Sequence, residues 1–389
     1  MKAVAEKEEI SVEEGRSART GKLMPELASL ALAFALAFSL RGLPELRSAY
    51  PVGYDMPYLA FLITRVFDGR PLGLIGFTPL LYLLAWLFYR ASGMEIFAFL
   101  KLFVPAVYGL LAASFYLFVR KAMGWGRRAS LLCTAICILQ VPALRLSWDL
   151  LRNELGLVML FLFLAATKVR SRWRRPLLAI LSTLTVLSHE LPAVLLFIWY
   201  GFVLLKHRRE ATYPFYAFHR WAFLLVFPLS IYATEGLLEL GRRVGRWSPL
   251  VLAACLLAYG LVGLGYASGT FFRIHDPAVN GYVPWSLVES TIGVGQVPDC
   301  IACLRWLNQH AGERAVLVAE QRFAEWALCF LDERIALAFY PHGYRLEDVP
   351  IEELLSQFNE IYLIWYAGLD IEGFVELYHR GDIAIYLRP

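Results

Sequence analysis

The side chains able to do chemistry gather in a few short stretches. Asp55 stands in Gly53-Tyr54-Asp55-Met56-Pro57-Tyr58, just after the first hydrophobic run. A carboxylate there is either a first-turn acid favoured by a helix dipole or a general base at the mouth of a helix bundle. Acids at a membrane edge are functional candidates by default. A second acidic turn, Ser147-Trp148-Asp149-Leu150-Leu151-Arg152-Asn153-Glu154, opens a later hydrophobic helix. On one continuous helix Asp149, Arg152 and Asn153 share a face, which sets a second carboxylate beside a cation. Glu154 reads as a local capping charge. His189-Glu190, before Leu191-Pro192, offers donor types that suit divalent metals; a polar hairpin tip is the plainer reading. No His-Glu-x-x-His occurs, which removes the zinc-protease pattern. Arg220, in Phe218-His219-Arg220-Trp221, is either a phosphate grip or a snorkelling interfacial arginine.

The elements that must hold these groups are hydrophobic. Of 389 residues, 58% are hydrophobic and 15% aromatic, and mean hydropathy is +0.53. Soluble domains are ~45–50% apolar, and here the excess falls in blocks. Charge-free runs cover 72–89, 102–119, 129–144 and 247–272, with shorter ones at 27–40, 155–167, 176–188, 191–205 and 221–234. They predict an α-helical polytopic membrane bundle of about 7–9 hydrophobic segments over residues 23–275. The polar residues 1–22 read as a disordered cytoplasmic N-terminus, with no cleavable signal ahead of a retained anchor.

Net charge is +4, but residues 1–275 carry 30 Lys and Arg against 16 Asp and Glu, while 276–389 carry 7 Arg, no Lys and 17 acids. The acidic C-terminal part argues against nucleic acid as a partner. Basic turns at 120–128, 168–175 and 206–209, like the N-terminus, belong on the cytoplasmic side. That count requires one run, 72–89 with its prolines and glycines, not to cross, so 44–94 becomes a long first external loop. Asp55, Asp149 and His189-Glu190 then fall at one external face. Tyr82, Trp86 and Tyr89 fit an interfacial belt.

From Val297 the pattern changes to short apolar strands at 315–319, 335–339, 361–365 and 383–387, alternating with helical stretches at 298–311, 321–331, 349–358 and 370–380. This predicts a small C-terminal α/β domain, residues 276–389, with a largely parallel sheet. Gly293-Val-Gly295 lacks the third glycine of a dinucleotide fingerprint, so no nucleotide cofactor is expected. Of six cysteines, Cys300 and Cys303 read as buried helical residues, with a disulfide to Cys329 as the alternative in an oxidising space.

In order and character the chain resembles the GT-C superfamily of polytopic membrane glycosyltransferases, which includes protein mannosyltransferases, aminoarabinose transferases and oligosaccharyltransferases. The resemblance is carried by Gly53-Tyr54-Asp55-Met56-Pro57-Tyr58 after the first span, the amphipathic stretch ending in Asp68-Gly69-Arg70-Pro71, the basic turn at 120–128, the acidic turn at 147–156, the Ser188-His189-Glu190 turn and a soluble tail. It implies sugar transfer from a polyprenyl-phosphate donor to a glycan, lipid or protein acceptor at the external face. It also implies Asp55 as general base or metal ligand and Asp149 as the second acid, with a divalent metal such as Mg or Mn between them. Arg152 or Arg220 would grip the phosphate, and Tyr54, Tyr58, His189 and Glu190 would line the substrate. Two departures stand out: Asp55 has no paired acid in sequence, and the segment between Leu205 and Arg220 is short. From another class, a non-catalytic lipid-glycan binding or assembly protein fits the same composition. A transporter fits less well, since the chain shows no internal repeat.

Overall fold

The computed structural model describes residues 24–66, 79–189, 192–197, 226–270, 287–288, 290–340, 349 and 351–389. The chain folds as two compact units: Met1–Gly42 with Val104–Phe271, and Leu43–Phe103 with Phe272–Pro389.

Among the described residues, three helices are long and apolar enough to cross a membrane: Met24–Arg47, Ile96–Ala122 and Val226–Ser268. A fourth is added if Arg127–Ile138 and Val141–Asp149, bent by 63°, count as one span. This overturns the expected membrane bundle of about 7–9 hydrophobic segments, because a crossing needs ~20 residues. The runs at 155–167 and 176–188 form helices of only 16 and 15 residues, Leu151–Ala166 and Arg174–Ser188. At ~1.5 Å per residue both fall short of a ~30 Å hydrocarbon core. The run at 72–89, expected not to cross, is described only from residue 79, where it makes the 13-residue helix Leu80–Ser92. Much of 191–205, and the start of 221–234, lies outside the described residues.

The first unit is built of helices that approach closely. Gly156 permits one contact: a Cβ there would lie 2.5 Å from the Pro192 ring and 3.2 Å from Ser188. The bend near Leu139 frees carbonyls from helical bonding, and apolar surroundings demand other partners for them. The Tyr108 hydroxyl donates to Ile138 O at 2.7 Å. Gln140 Nε2 donates to Ser230 Oγ at 2.8 Å. Gly263 lies against the same bend, where a Cβ would stand 2.5 Å from Leu139 O.

The second unit carries one five-stranded sheet in the order β2-β1-β3-β5-β4. The strands are β1 (Ala315–Glu320), β2 (Ala336–Tyr340), β3 (Glu360–Tyr366), β4 (Val375–Arg380) and β5 (Ile383–Arg388). β1 runs parallel to β2 and β3, whereas β3–β5 and β5–β4 are antiparallel. The sheet is therefore mixed rather than largely parallel. Residues 375–380, expected within a helix, form β4 instead. Gly381, at φ 54, turns the chain directly back into β5, a conformation glycine adopts without a Cβ penalty.

Both faces of this sheet are covered. Val316, Val318, Ile361 and Leu363 point to one core and Leu317, Ala319, Tyr362 and Ile364 to the other. The second core also takes in Leu59, Leu62, Ile63, Ala85 and Phe97 from the segment 43–103, together with the helices Val297–His310 and Gln321–Phe330. Packed against this core, Tyr50 sets its ring edge-on to Phe97, Trp326 and Phe330, with centroids at 5.5, 5.7 and 6.3 Å. The six cysteines are free; Cys329 Sγ donates to Pro57 O at 3.1 Å.

Trp326 is fully buried. Replacing it by alanine should cost ~3–5 kcal/mol and expose 43–103 to limited proteolysis before the rest of its unit. In the helical unit, Gly263→Ala should lower the melting temperature in detergent. Gly260→Ala, whose Cβ would meet nothing within 4 Å, should leave it unchanged or raise it.

Candidate functional site

The loop carrying Asp55 is pinned from several sides within the second unit. Lys101 Nζ donates to Ser48 O at 2.6 Å, Val52 N to the buried Glu45 Oε2 at 3.0 Å, and Ser290 Oγ to Gly53 O at 3.2 Å. Gly53 takes φ 147, which turns the chain into the helix Met56–Phe61. Asp55 stands at its N-cap, with its carbonyl accepting from Leu59 N at 2.8 Å, and Pro57 lies in the first turn, where a missing N–H costs nothing.

The other wall is the helix Gln321–Phe330, which follows β1 directly. Glu325 lies there, 8% exposed, and its Oε2 is buried with no hydrogen-bond partner among the described residues. Burial pushes its carboxyl from 4.5 up to about 8; the charge of Asp55 adds to this, and a hydrogen bond from Gln321 opposes it. Tyr54 is raised well above its ordinary 10.0, first by burial, then by Glu325 and Asp55, while Arg322 opposes the shift. Arg322 is held by Glu320, with Nε at 2.6 Å and Nη2 at 2.9 Å from the carboxylate, and its Nη1 donates to the Tyr366 hydroxyl at 3.4 Å. Asp55, Glu325, Tyr54, Arg322 and Glu320 thus form one interacting group. Tyr58, one turn on, packs half-buried on the adjoining core.

Beside this group opens a cavity of about 650 Å³. Arg47, Arg322, Tyr366, Ser290, Thr291 and the run Ile292–Gly295 line it. The Trp326 indole donates to Thr291 Oγ1 at 2.8 Å and fixes that wall.

The remaining sequence candidates belong to the helical unit or lie outside the described residues. Asp149 ends the helix Val141–Asp149 and pairs with Arg145, whose guanidinium lies 4.7 Å over Trp148. The expected shared face of Asp149 with Arg152 and Asn153 does not form. Leu150, at φ −107 and ψ 39, breaks the helix before Leu151–Ala166 begins. Arg152 is half-buried in the first turn of that second helix. Asn153 and Glu154 are buried, with Asn153 Oδ1 and both Glu154 oxygens unpartnered among the described residues. His189 is buried at the C-terminal end of Arg174–Ser188, its carbonyl accepting from Ala193 N at 3.2 Å. Glu190 and Arg220 lie outside the described residues. Asp55 and Asp149 belong to different units. Among the described residues no group of three His, Cys, Asp or Glu side chains is placed to hold a metal ion.

Glu325, Arg322 and Glu320 escaped the sequence reading. The available signal was a carboxylate between Ala324 and Trp326, on the apolar side of an amphipathic helix. The chain matches no family model and no curated protein.

Glu325 gives a direct test of this arrangement. Its carboxyl is raised in the folded state, so folding favours its protonated form. Stability should be full below pH 4.5 and decline as pH rises through about 8. Glu325→Gln should flatten that decline in melts recorded between those limits. An unchanged slope would remove the buried carboxyl from the account.

Proposed function

We propose that this chain is an integral-membrane glycosyltransferase that moves a sugar from a polyprenyl-phosphate donor to an acceptor hydroxyl, with Asp55 as general base. The observation that supports it best is the placing of Asp55. It stands at the start of a pinned helix, in electrostatic reach of a second carboxyl group, Glu325, and in a group whose Arg322 also lines a cavity.

In this reading the acceptor hydroxyl gives its proton to Asp55 as its oxygen attacks the sugar C1. The bond from C1 to the phosphate oxygen breaks, and the polyprenyl phosphate leaves with that electron pair. Glu325, holding its own proton at neutral pH, spares the pair a second negative charge in a buried place. Tyr54 remains a neutral phenol there, able to donate a hydrogen bond to substrate. Cationic stabilisation of the leaving phosphate falls to an arginine. The three candidate spans supply the hydrophobic helices that a polyprenyl tail needs. With the basic turns on the cytoplasmic side, the N-terminus is cytoplasmic in this reading and the second unit external, in the plasma membrane.

The test is transfer of radiolabelled sugar from polyprenyl-phosphate sugars in membranes expressing the chain. Asp55→Asn should reduce transfer by about 10²- to 10⁴-fold and leave donor binding intact. Transfer that persists unchanged in the variant removes Asp55 from the chemistry. Donor binding without transfer in the natural chain would favour a lipid-glycan binding protein instead.

A further inference from the structure

We infer that the cavity lined by Arg47, Arg322, Ser290 and Thr291 is a binding site for a phosphate group. Arg47 is exposed at the end of the short helix Pro44–Arg47, and it makes no hydrogen bond or ion pair among the described residues. It lines the cavity with Arg322, whose guanidinium is fixed in orientation by Glu320 and Tyr366. Two guanidinium groups thus line the cavity: Arg322 is oriented by its ion pair with Glu320, and Arg47 has no partner among the described residues.

The rest of the lining suits the same ligand. Planar guanidinium forks match phosphate oxygens in pairs, and hydroxyls supply further donors. Thr291 brings such a hydroxyl, positioned by the Trp326 indole and with its own hydrogen left to donate, while Ser290 spends its hydrogen on Gly53 O and fixes the wall. Gly293 and Gly295 keep one wall free of side chains, and a Cβ at Gly295 would meet nothing within 4 Å. A volume of about 650 Å³ holds a diphosphate or a phosphate with part of its ester.

Two sources could deliver the group, a soluble phosphate ester or a lipid headgroup. Arg47 is also the last residue of the candidate span Met24–Arg47, which is where a headgroup would lie. The inference rests on the transfer reading for its lipid source, but binding is measured without turnover, so the two can fail separately.

The experiment uses the full chain. In detergent micelles, ³¹P line broadening of inorganic pyrophosphate is titrated. In phosphatidylcholine nanodiscs, retention of added polyprenyl phosphate is measured. Pyrophosphate binding supports a site open to soluble phosphates; retention of the lipid alone supports a headgroup site. In either case Arg47→Gln should weaken binding by about tenfold, as expected for the loss of one guanidinium–phosphate contact. Arg380→Gln, an exposed arginine that does not line the cavity, should leave binding unchanged. No binding of either probe, or equal binding by the natural chain and Arg47→Gln, overturns the site.

Discussion

The candidate site depends on the aromatic contact that builds residues 43–103 into the C-terminal unit. Tyr50 touches Phe97, Trp326 and Phe330 at once. Edge-to-face aromatic pairs contribute ~0.5–1.5 kcal/mol each beyond their buried area. Three such pairs meeting on one ring therefore give the docked segment a definite position, which a loosely apolar contact would not. Trp326 belongs to the helix that also carries Glu325 and Arg322, and Tyr50 lies five residues before Asp55. One packing contact thereby decides which charges Asp55 meets.

Electrostatics then act within the geometry that packing fixes. Burying a carboxylate without a compensating donor is costly, and proteins relieve the cost by keeping it protonated. Glu325 follows that rule, with its orphaned oxygen and its carboxyl lifted to about 8. Arg322 neutralises Glu320 within hydrogen-bond distance. The group around Asp55 thus carries less net charge than its count of acids implies, and this lets it exist half-buried against a hydrophobic core.

The legible part of the fold was local. Four strands and the helices at 297–310, 321–330 and 351–357 follow from apolar runs and their spacing, and they fall near where the sequence puts them. Residues 370–380 misled because Val375, Leu377 and Tyr378 also fit a helical spacing; the hairpin through Gly381 and pairing with β5 decided the outcome. The count of spans misled for a related reason. Charge-free runs such as 176–188 mark burial or a lipid-facing surface, but the helix they form can still be too short to cross. At the site, Asp55 was legible from its setting after the first hydrophobic run. Its neighbours were not, because Glu325 and Arg322 lie about 270 residues further on and reach it only through tertiary packing.

The two sequence candidates for a catalytic acid also differ physically. Asp149 is engaged by the guanidinium of Arg145, which itself lies over the face of Trp148. Arg145 is itself buried, so the pair compensates a charge inside the helical unit. It behaves as a link that closes the end of a broken helix before Leu150. Asp55 has acids among its close neighbours, Glu325 first. A nearby acid that keeps its proton lets one carboxylate work where two ionised ones would repel. The Asp55 group gathers acids and a tyrosine against one core, whereas the Arg145–Asp149 pair ties successive turns of a single helix.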